Sequence, residues 1–219
     1  KDGPFNDCGA FGSPNWLEFD PKYPHLVYVA ADRGAGDENE GNGNMRILDL
    51  KNQYVGTALT EGDMGGTNRG RALAFFDENH MAVAVDQGDE LRAAVYGFTR
   101  NREAPEGDER NYKMWGNRLA LVNFKACNTV TFHPVDGDMY FNSWDKGQFF
   151  KVEKQQIQEI FDGTRTTPAD KEVLFQMDNG WEYNIRIHPT GNYAYIVSIN
   201  KHYIQRTNYD WASKRFVTP

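Results

Sequence analysis

Four times along the chain, an alternating apolar run enters a turn carrying Asp or His before Pro or Gly and returns as a second apolar run. The four copies are NWLEFDPKYPHLVYVA from Asn15, RALAFFDENHMAVAV from Arg71, NTVTFHPVDGDMYFN from Asn128 and YNIRIHPTGNYAYIV from Tyr183. Aligned on Phe19, Phe75, Phe132 and Ile187, they stand 56, 57 and 55 positions apart, a near-constant period despite loops of very different length. Alternation of period two marks half-buried strands, so Leu17 with Phe19, Leu73 with Phe75, Val130 with Phe132 and Ile185 with Ile187 each share one sheet face. That face is expected to pack on a neighbouring sheet.

Each copy continues into two further strand-like segments. These are MRILDL and YVGTAL in the first, LRAAVYGF and LALVNF in the second, FFKVE and EVLFQM in the third, and HYIQRTNY and KRFVT in the fourth. Strand, tight turn, strand, strand, strand at about 40 to 50 residues per copy is the signature of propeller blades. A β-sandwich accounts for alternating strands but not for their recurrence in one order and register. The fold class expected is therefore all-β: a β-propeller of four-stranded antiparallel blades at approximately 11–60, 68–124, 126–177 and 180–219, one domain over residues 1–219. Two segments interrupt the pattern. Residues 101–117 are polar and turn-rich and read as a surface loop between the third and fourth strands of the second copy. In residues 154–162, Ile157, Ile160 and Phe161 stand at helical spacing, which predicts a short helix against the third blade.

Composition agrees with short strands and many turns, with 21 Gly and 9 Pro beside 14% aromatic residues. A formal net charge of −7 offers no general attraction to phosphate backbones, so nucleic acid is not expected as a partner. No run of about 18 apolar residues is present to cross a membrane as a helix. Cys8 and Cys127 form neither a disulfide framework nor a four-ligand zinc site, and the sequence leaves their state open.

Phe11 to Pro14, then VYVAADRG and MRILDL, resemble the NHL-type repeat, whose blades carry an F-x-x-P lead-in, a "YVAD" strand and an "IR-x-hydrophobic-D" strand. AYIVSINKHYIQR from Ala194 is similar to the Asn-His version of that repeat, whereas MAVAVDQG and MYFNSWDKG depart from it. The opening DGPFNDCGAFGSP is similar to the lead-in of bacterial cell-surface or periplasmic proteins that join an IPT/TIG immunoglobulin-like domain to an NHL propeller. The resemblance implies an extracytoplasmic location and rings of five or six blades, so the chain is read either as a four-bladed propeller or, as expected, as part of a six-bladed ring, with partner blades or an IPT/TIG domain outside these residues. No segment looks left over to add a strand to another blade, so exposed edges are expected at both ends.

In a propeller, the loop leading into each first strand and the loop between the second and third strands meet around the mouth of the central channel. That geometry nominates a binding face of Asn15, Trp16, Glu18, Arg69, Arg71, Asn128, Trp144, Asp145, Trp181, Glu182, Tyr183 and Asn200, with residues 34–44 overhanging it. Aromatic rings supply flat area for a sugar's C–H face or a protein anchor, and Asn, Glu and Arg supply directional hydrogen bonds. Against this, Trp at a blade start is also a common core residue. Glu18 and Arg186 hold matching positions, where a charge between blades needs a partner.

The function expected is a non-catalytic binding or scaffolding module for a glycan or protein, with no cofactor and no metal. The alternative is a lactonase-like hydrolase holding a cation in the channel, for which Glu18, Asn128 and Asn184 are partial ligands. His133 and His188 stand one before Pro in equivalent turns and read as turn residues. DENE and EGDE lack calcium-loop spacing, no G-x-S-x-G is present, and Gly65, Gly66 and Gly70 precede no helical pattern.

Overall fold

The computed structural model describes residues 2–5, 14–31, 45–60, 62–65, 69–86, 93–106, 110–125, 127–143, 146–177, 183–198 and 201–219, with only the backbone of Ala31, Arg69, Asp86 and Ala93. Cys8 and the 34–44 loop lie outside them. The strands are β1 (Gly3–Pro4), β2 (Pro14–Phe19), β3 (Leu26–Ala31), β4 (Met45–Asp49), β5 (Tyr54–Leu59), β6 (Arg69–Phe75), β7 (His80–Asp86), β8 (Ala93–Arg100) and β9 (Trp115–Asn123). They continue as β10 (Cys127–Phe132), β11 (Met139–Ser143), β12 (Gln148–Val152), β13 (Glu172–Gln176), β14 (Tyr183–Ile187), β15 (Tyr193–Ser198), β16 (Tyr203–Asp210) and β17 (Arg215–Phe216). Helix α1 (Lys154–Phe161) stands between β12 and β13, where the spacing of Ile157 and Ile160 predicts it, and both are buried. The strands form four sheets, ordered β1-β5-β4-β3-β2, β6-β7-β8-β9, β10-β11-β12-β13 and β14-β15-β16-β17. The fold is an all-β propeller of four antiparallel, four-stranded blades. The first sheet carries a fifth strand, because Gly3 and Pro4 pair with Val55 and Tyr54.

Two compact units divide the chain within the second sheet. Lys1–Val85 with Tyr96–Leu119 form one, and Asp86–Val95 with Ala120–Pro219 form the other. In the first unit, the face of sheet one that carries Trp16, Tyr28 and Ile47 packs on sheet two. Tyr28 is fully buried, with Phe75 edge-on at 5.4 Å and Trp115 at 6.3 Å. Its hydroxyl accepts from Trp115 Nε1 at 2.9 Å and donates to Asp20 Oδ2 at 3.1 Å. Burial, then the neighbouring Asp20 carboxylate, raises the Tyr28 pKa well above that of a free tyrosine.

Asp20 also caps its own turn, taking the backbone N–H groups of Lys22 and Tyr23 at 2.9 and 3.0 Å. Arg100 Nη2 reaches both of its carboxylate oxygens at 2.9 Å. The guanidinium stacks 4.4 Å above the Trp115 ring, and both charged side chains are essentially buried, at 2% and 0% exposure. A buried ion pair depends on further hydrogen bonds, and here Lys22 N, Tyr23 N and the Tyr28 hydroxyl donate to the carboxylate while Arg100 Nε donates to Glu78 O at 2.8 Å.

Residues 101–114 do more than loop over the surface. Tyr112 is buried, stacks on Tyr54 at 5.7 Å and donates its hydroxyl to Asp49 Oδ2 at 2.7 Å. Its ring lies so near Gly56 that a Cβ there would sit 2.3 Å from it, so only glycine admits this contact. The turn-rich composition of the segment conceals one anchoring aromatic. Burial raises the pKa of Asp49, but the bonds from Asn52 and Tyr112 outweigh it and hold the carboxyl below its usual range.

In the second unit, sheets three and four enclose a core of Tyr140, Phe149, Phe175, Tyr183, Ile185, Ile196, Tyr209 and Phe216. Phe149 stacks on Phe175 at 5.0 Å, and Phe216 meets Tyr140 edge-on at 5.1 Å. His133 and His188 both bond within their turns, and His188 Nδ1 lies 2.9 Å from Thr190 Oγ1. His133 also does longer-range work, because its Nε2 meets Gly191 O at 2.9 Å and its ring stacks on Tyr209 at 4.2 Å. Gly191 has φ +76°, and a Cβ there would lie 2.6 Å from the His133 ring. Cys127 is a free, fully buried thiol donating to Thr129 O at 3.1 Å, and burial pushes its pKa up to about 12. In the folded chain it should therefore resist iodoacetamide at pH 8 and become labelled in urea. Peptide-resolved mass spectrometry reads this directly, and native labelling of Cys127 would contradict the burial.

The shared-face expectation holds for Leu73, Val130 and Ile185, all buried, and fails in the first sheet, where Leu17 is 48% and Phe19 55% exposed. Position within the order of sheets explains the difference. The Leu17 face is the one turned away from sheet two, whereas Trp16 on the opposite face is buried.

Candidate functional site

The nominated residues that the structure describes are divided between the two units. On the first unit, Asn15 at the leading end of β2 is exposed, Trp16 is buried, and Glu18 and Arg71 are half-buried. Trp16 contributes to the packing of sheet one, which is the core role weighed for a tryptophan at a blade start. Glu18 pairs in register with Tyr28 on the face that meets sheet two. Arg186, its counterpart in the fourth sheet, is exposed and pairs with Tyr195. Of Arg69 only the backbone is described.

On the second unit, Asn128 and Tyr183 come together at the leading ends of β10 and β14. Asn128 Nδ2 donates to Tyr183 O at 3.0 Å and to Asn184 Oδ1 at 2.7 Å. Asn142, at the end of β11, completes the arrangement. Its Oδ1 accepts from Thr129 N at 3.0 Å and Thr129 Oγ1 at 2.7 Å, while its Nδ2 donates to Tyr183 O at 2.7 Å. Asn142, Thr129 and Ser143 are buried. These amides fasten sheet three to sheet four, because Asn128 and Asn142 both donate to the Tyr183 carbonyl and Asn128 donates also to the Asn184 side chain. The Tyr183 ring is fully buried, 6.0 Å from Phe149, so this residue reaches the leading end through its carbonyl.

Asn142 was missing from the sequence-based set. A polar residue in the middle of the apolar run MYFNS is the signal that marks it, since a buried amide needs partners. Trp144, Asp145, Trp181, Glu182 and Asn200 lie outside the described residues. Among the described residues, no group of three or more His, Cys, Asp or Glu is placed to hold a metal ion. Of the residues offered as partial cation ligands, Asn128 and Asn184 bond to each other, which engages the Asn184 amide oxygen. Among the described residues, no helix is long and apolar enough to cross a membrane.

No protein-family model matches the chain, and no curated protein matches it. Solved structures do. An auxiliary nutrient binding protein from Bacteroides thetaiotaomicron VPI-5482 is 33% identical with a TM-score of 0.75, over 100% of this chain and 44% of its own. A second auxiliary nutrient binding protein, from Bacteroides ovatus ATCC 8483, is 26% identical with a TM-score of 0.71, over 99% of this chain and 43% of its own. A Bacteroides thetaiotaomicron VPI-5482 protein provisionally described as a phosphatase is 30% identical with a TM-score of 0.82, over 100% of this chain and 48% of its own. The chain thus spans less than half the length of each of these relatives.

Proposed function

We propose that the chain is a non-catalytic binding or scaffolding module of an extracytoplasmic bacterial protein, an NHL-like propeller that takes a glycan or a protein on its channel-mouth face. The observation that carries this reading is the similarity, along essentially the whole chain, to two Bacteroides auxiliary nutrient binding proteins at 33% and 26% identity. The extracytoplasmic location rests on the same likeness and on the similarity of the opening residues to IPT/TIG-linked propellers. The division of labour among polar groups supports it further. Asn128 and Asn142 are engaged in joining sheets, which leaves Trp144, Asp145, Trp181, Glu182 and Asn200 as the proposed recognition residues of the second unit.

A glycan array probed with the wild-type chain and with Trp144→Ala and Trp181→Ala tests the reading. Binding of at least one glycan is expected, with a loss of about tenfold or more in one or both variants, equivalent to about 1.4 kcal/mol. Full binding by both variants would remove this face as the site. No glycan bound by the wild type would move the proposal to its protein partner, tested by the same variants in a pull-down.

A further inference from the structure

Trp211, in the turn between β16 and β17, is 48% exposed, and its surroundings fix which part of the ring that is. His133, which follows β10 of sheet three, and Tyr209 of sheet four stack on each other at 4.2 Å. The indole stands at 78° to the first ring and 74° to the second, with its centroid 5.7 and 4.8 Å from theirs. A ring at right angles to both members of a stack and at comparable distance from each lies beside that stack, and at this separation one indole face closes over their edges. The other face is open. Because the stack runs from sheet three to sheet four, the open face looks across the sheet-to-sheet direction, so its exposure does not depend on what lies beyond sheet four.

The turn holds the ring in that place. The indole Nε1 donates to Asn192 Oδ1 at 3.1 Å, Asp210 accepts from Ala212 N at 3.0 Å and from Ser213 Oγ at 2.6 Å, and Lys151 Nζ of sheet three donates to Lys214 O at 2.7 Å. With its one polar atom engaged, the indole offers a flat apolar face to water, and a fixed exposure of this kind marks a contact surface. Exposed Asn192 and Thr190 stand at its rim, and with Oδ1 taken by the indole Asn192 has amide N–H donors to offer. A flat apolar plane rimmed by short hydrogen-bonding side chains suits a pyranose, whose C–H face stacks while its hydroxyls pair at the edge. A proline-rich peptide docks in a groove lined by several rings. Among the described residues, the neighbouring turns, 133–138 and 188–192, expose no second aromatic ring. We infer that Trp211 is the platform of a second binding site, for a pyranose stacked on its open face, at the end of sheets three and four opposite the leading ends of β10 and β14. The site is separate from the channel mouth.

Proton–nitrogen correlation NMR of the full chain tests it, with methyl β-glucopyranoside as the probe, a pyranose whose equatorial hydroxyls leave flat C–H faces. In the wild type, the Trp211 indole N–H and the backbone amides of Asn192 and Ala212 should shift together and saturate. Trp211→Leu keeps apolar bulk against Tyr209 and His133 but has no flat face, so it should need about tenfold more sugar for the same shifts, or show none. Trp211→Tyr puts a flat ring back and should restore saturable shifts at Asn192 and Ala212. These signals are local to the turn, so they test this site whether or not the channel mouth binds a ligand. Wild-type amides of Asn192 and Ala212 that do not move, equal titrations of wild type and Trp211→Leu, or shifts produced by acetyl-tetraproline amide and not by the sugar would each overturn the inference.

Discussion

Replacing Arg100 with Ala should lower the folding stability by about 3–5 kcal/mol, the range for removing one partner of a buried ion pair. The Asp20 carboxylate would keep its bonds from Lys22 N, Tyr23 N and the Tyr28 hydroxyl, but it would be left as an uncompensated charge at a fully buried site. The Trp115 ring would also lose the guanidinium stacked 4.4 Å from it. Urea denaturation of the two proteins measures the difference. Two comparisons isolate the cause. In the Asp20→Asn background, Arg100→Ala should cost much less, because no buried anion remains. Lys22→Ala, which breaks the exposed contact with Glu103, should change stability by about 1 kcal/mol or less. A loss in Arg100→Ala no greater than in Lys22→Ala would show that the pair does not tie sheet one to sheet two.

The second large effect is expected at Asn142. Truncation to Ala strands the Thr129 N–H and hydroxyl and removes a donor from Tyr183 O, all in a buried setting. Unsatisfied buried groups cost about 1–3 kcal/mol each, and relaxation recovers part of that, so a net loss of about 2–4 kcal/mol is expected in chemical denaturation. Asn142→Asp keeps the acceptor for Thr129 but sets a carboxylate against the Tyr183 carbonyl, so it should not restore stability. Wild-type stability in Asn142→Ala would mean that the amide ladder does not join sheets three and four.

The architecture was readable because period-two alternation survives in every copy, and a common register places equivalent residues on equivalent faces. Which face is covered was not readable. Leu17 and Ile185 look alike in sequence, yet one is exposed and the other buried, because their environments depend on the sheet that packs against them. Of the residues nominated for a binding face, Asn128 and Tyr183 bond to each other, and Asn142, 14 positions beyond Asn128, makes them part of a fastening between sheets. Arg100 and Asp20 were missed altogether. An Arg at the end of an apolar strand reads as a solvated terminus, and its partner lies 80 residues away. The local pattern likewise gives no sign that Tyr112 leaves a polar loop to pack against Gly56.

If the residues around Trp144 and Trp181 recognise a ligand while Asn128 and Asn142 join sheets, hydrogen exchange read by mass spectrometry with and without an array-positive glycan separates the two roles. Ligand-dependent protection is predicted in peptides spanning residues 144–145 and 178–182, with no change in α1 or β13. Protection confined to α1 and β13, with the rim peptides unchanged, would contradict the account.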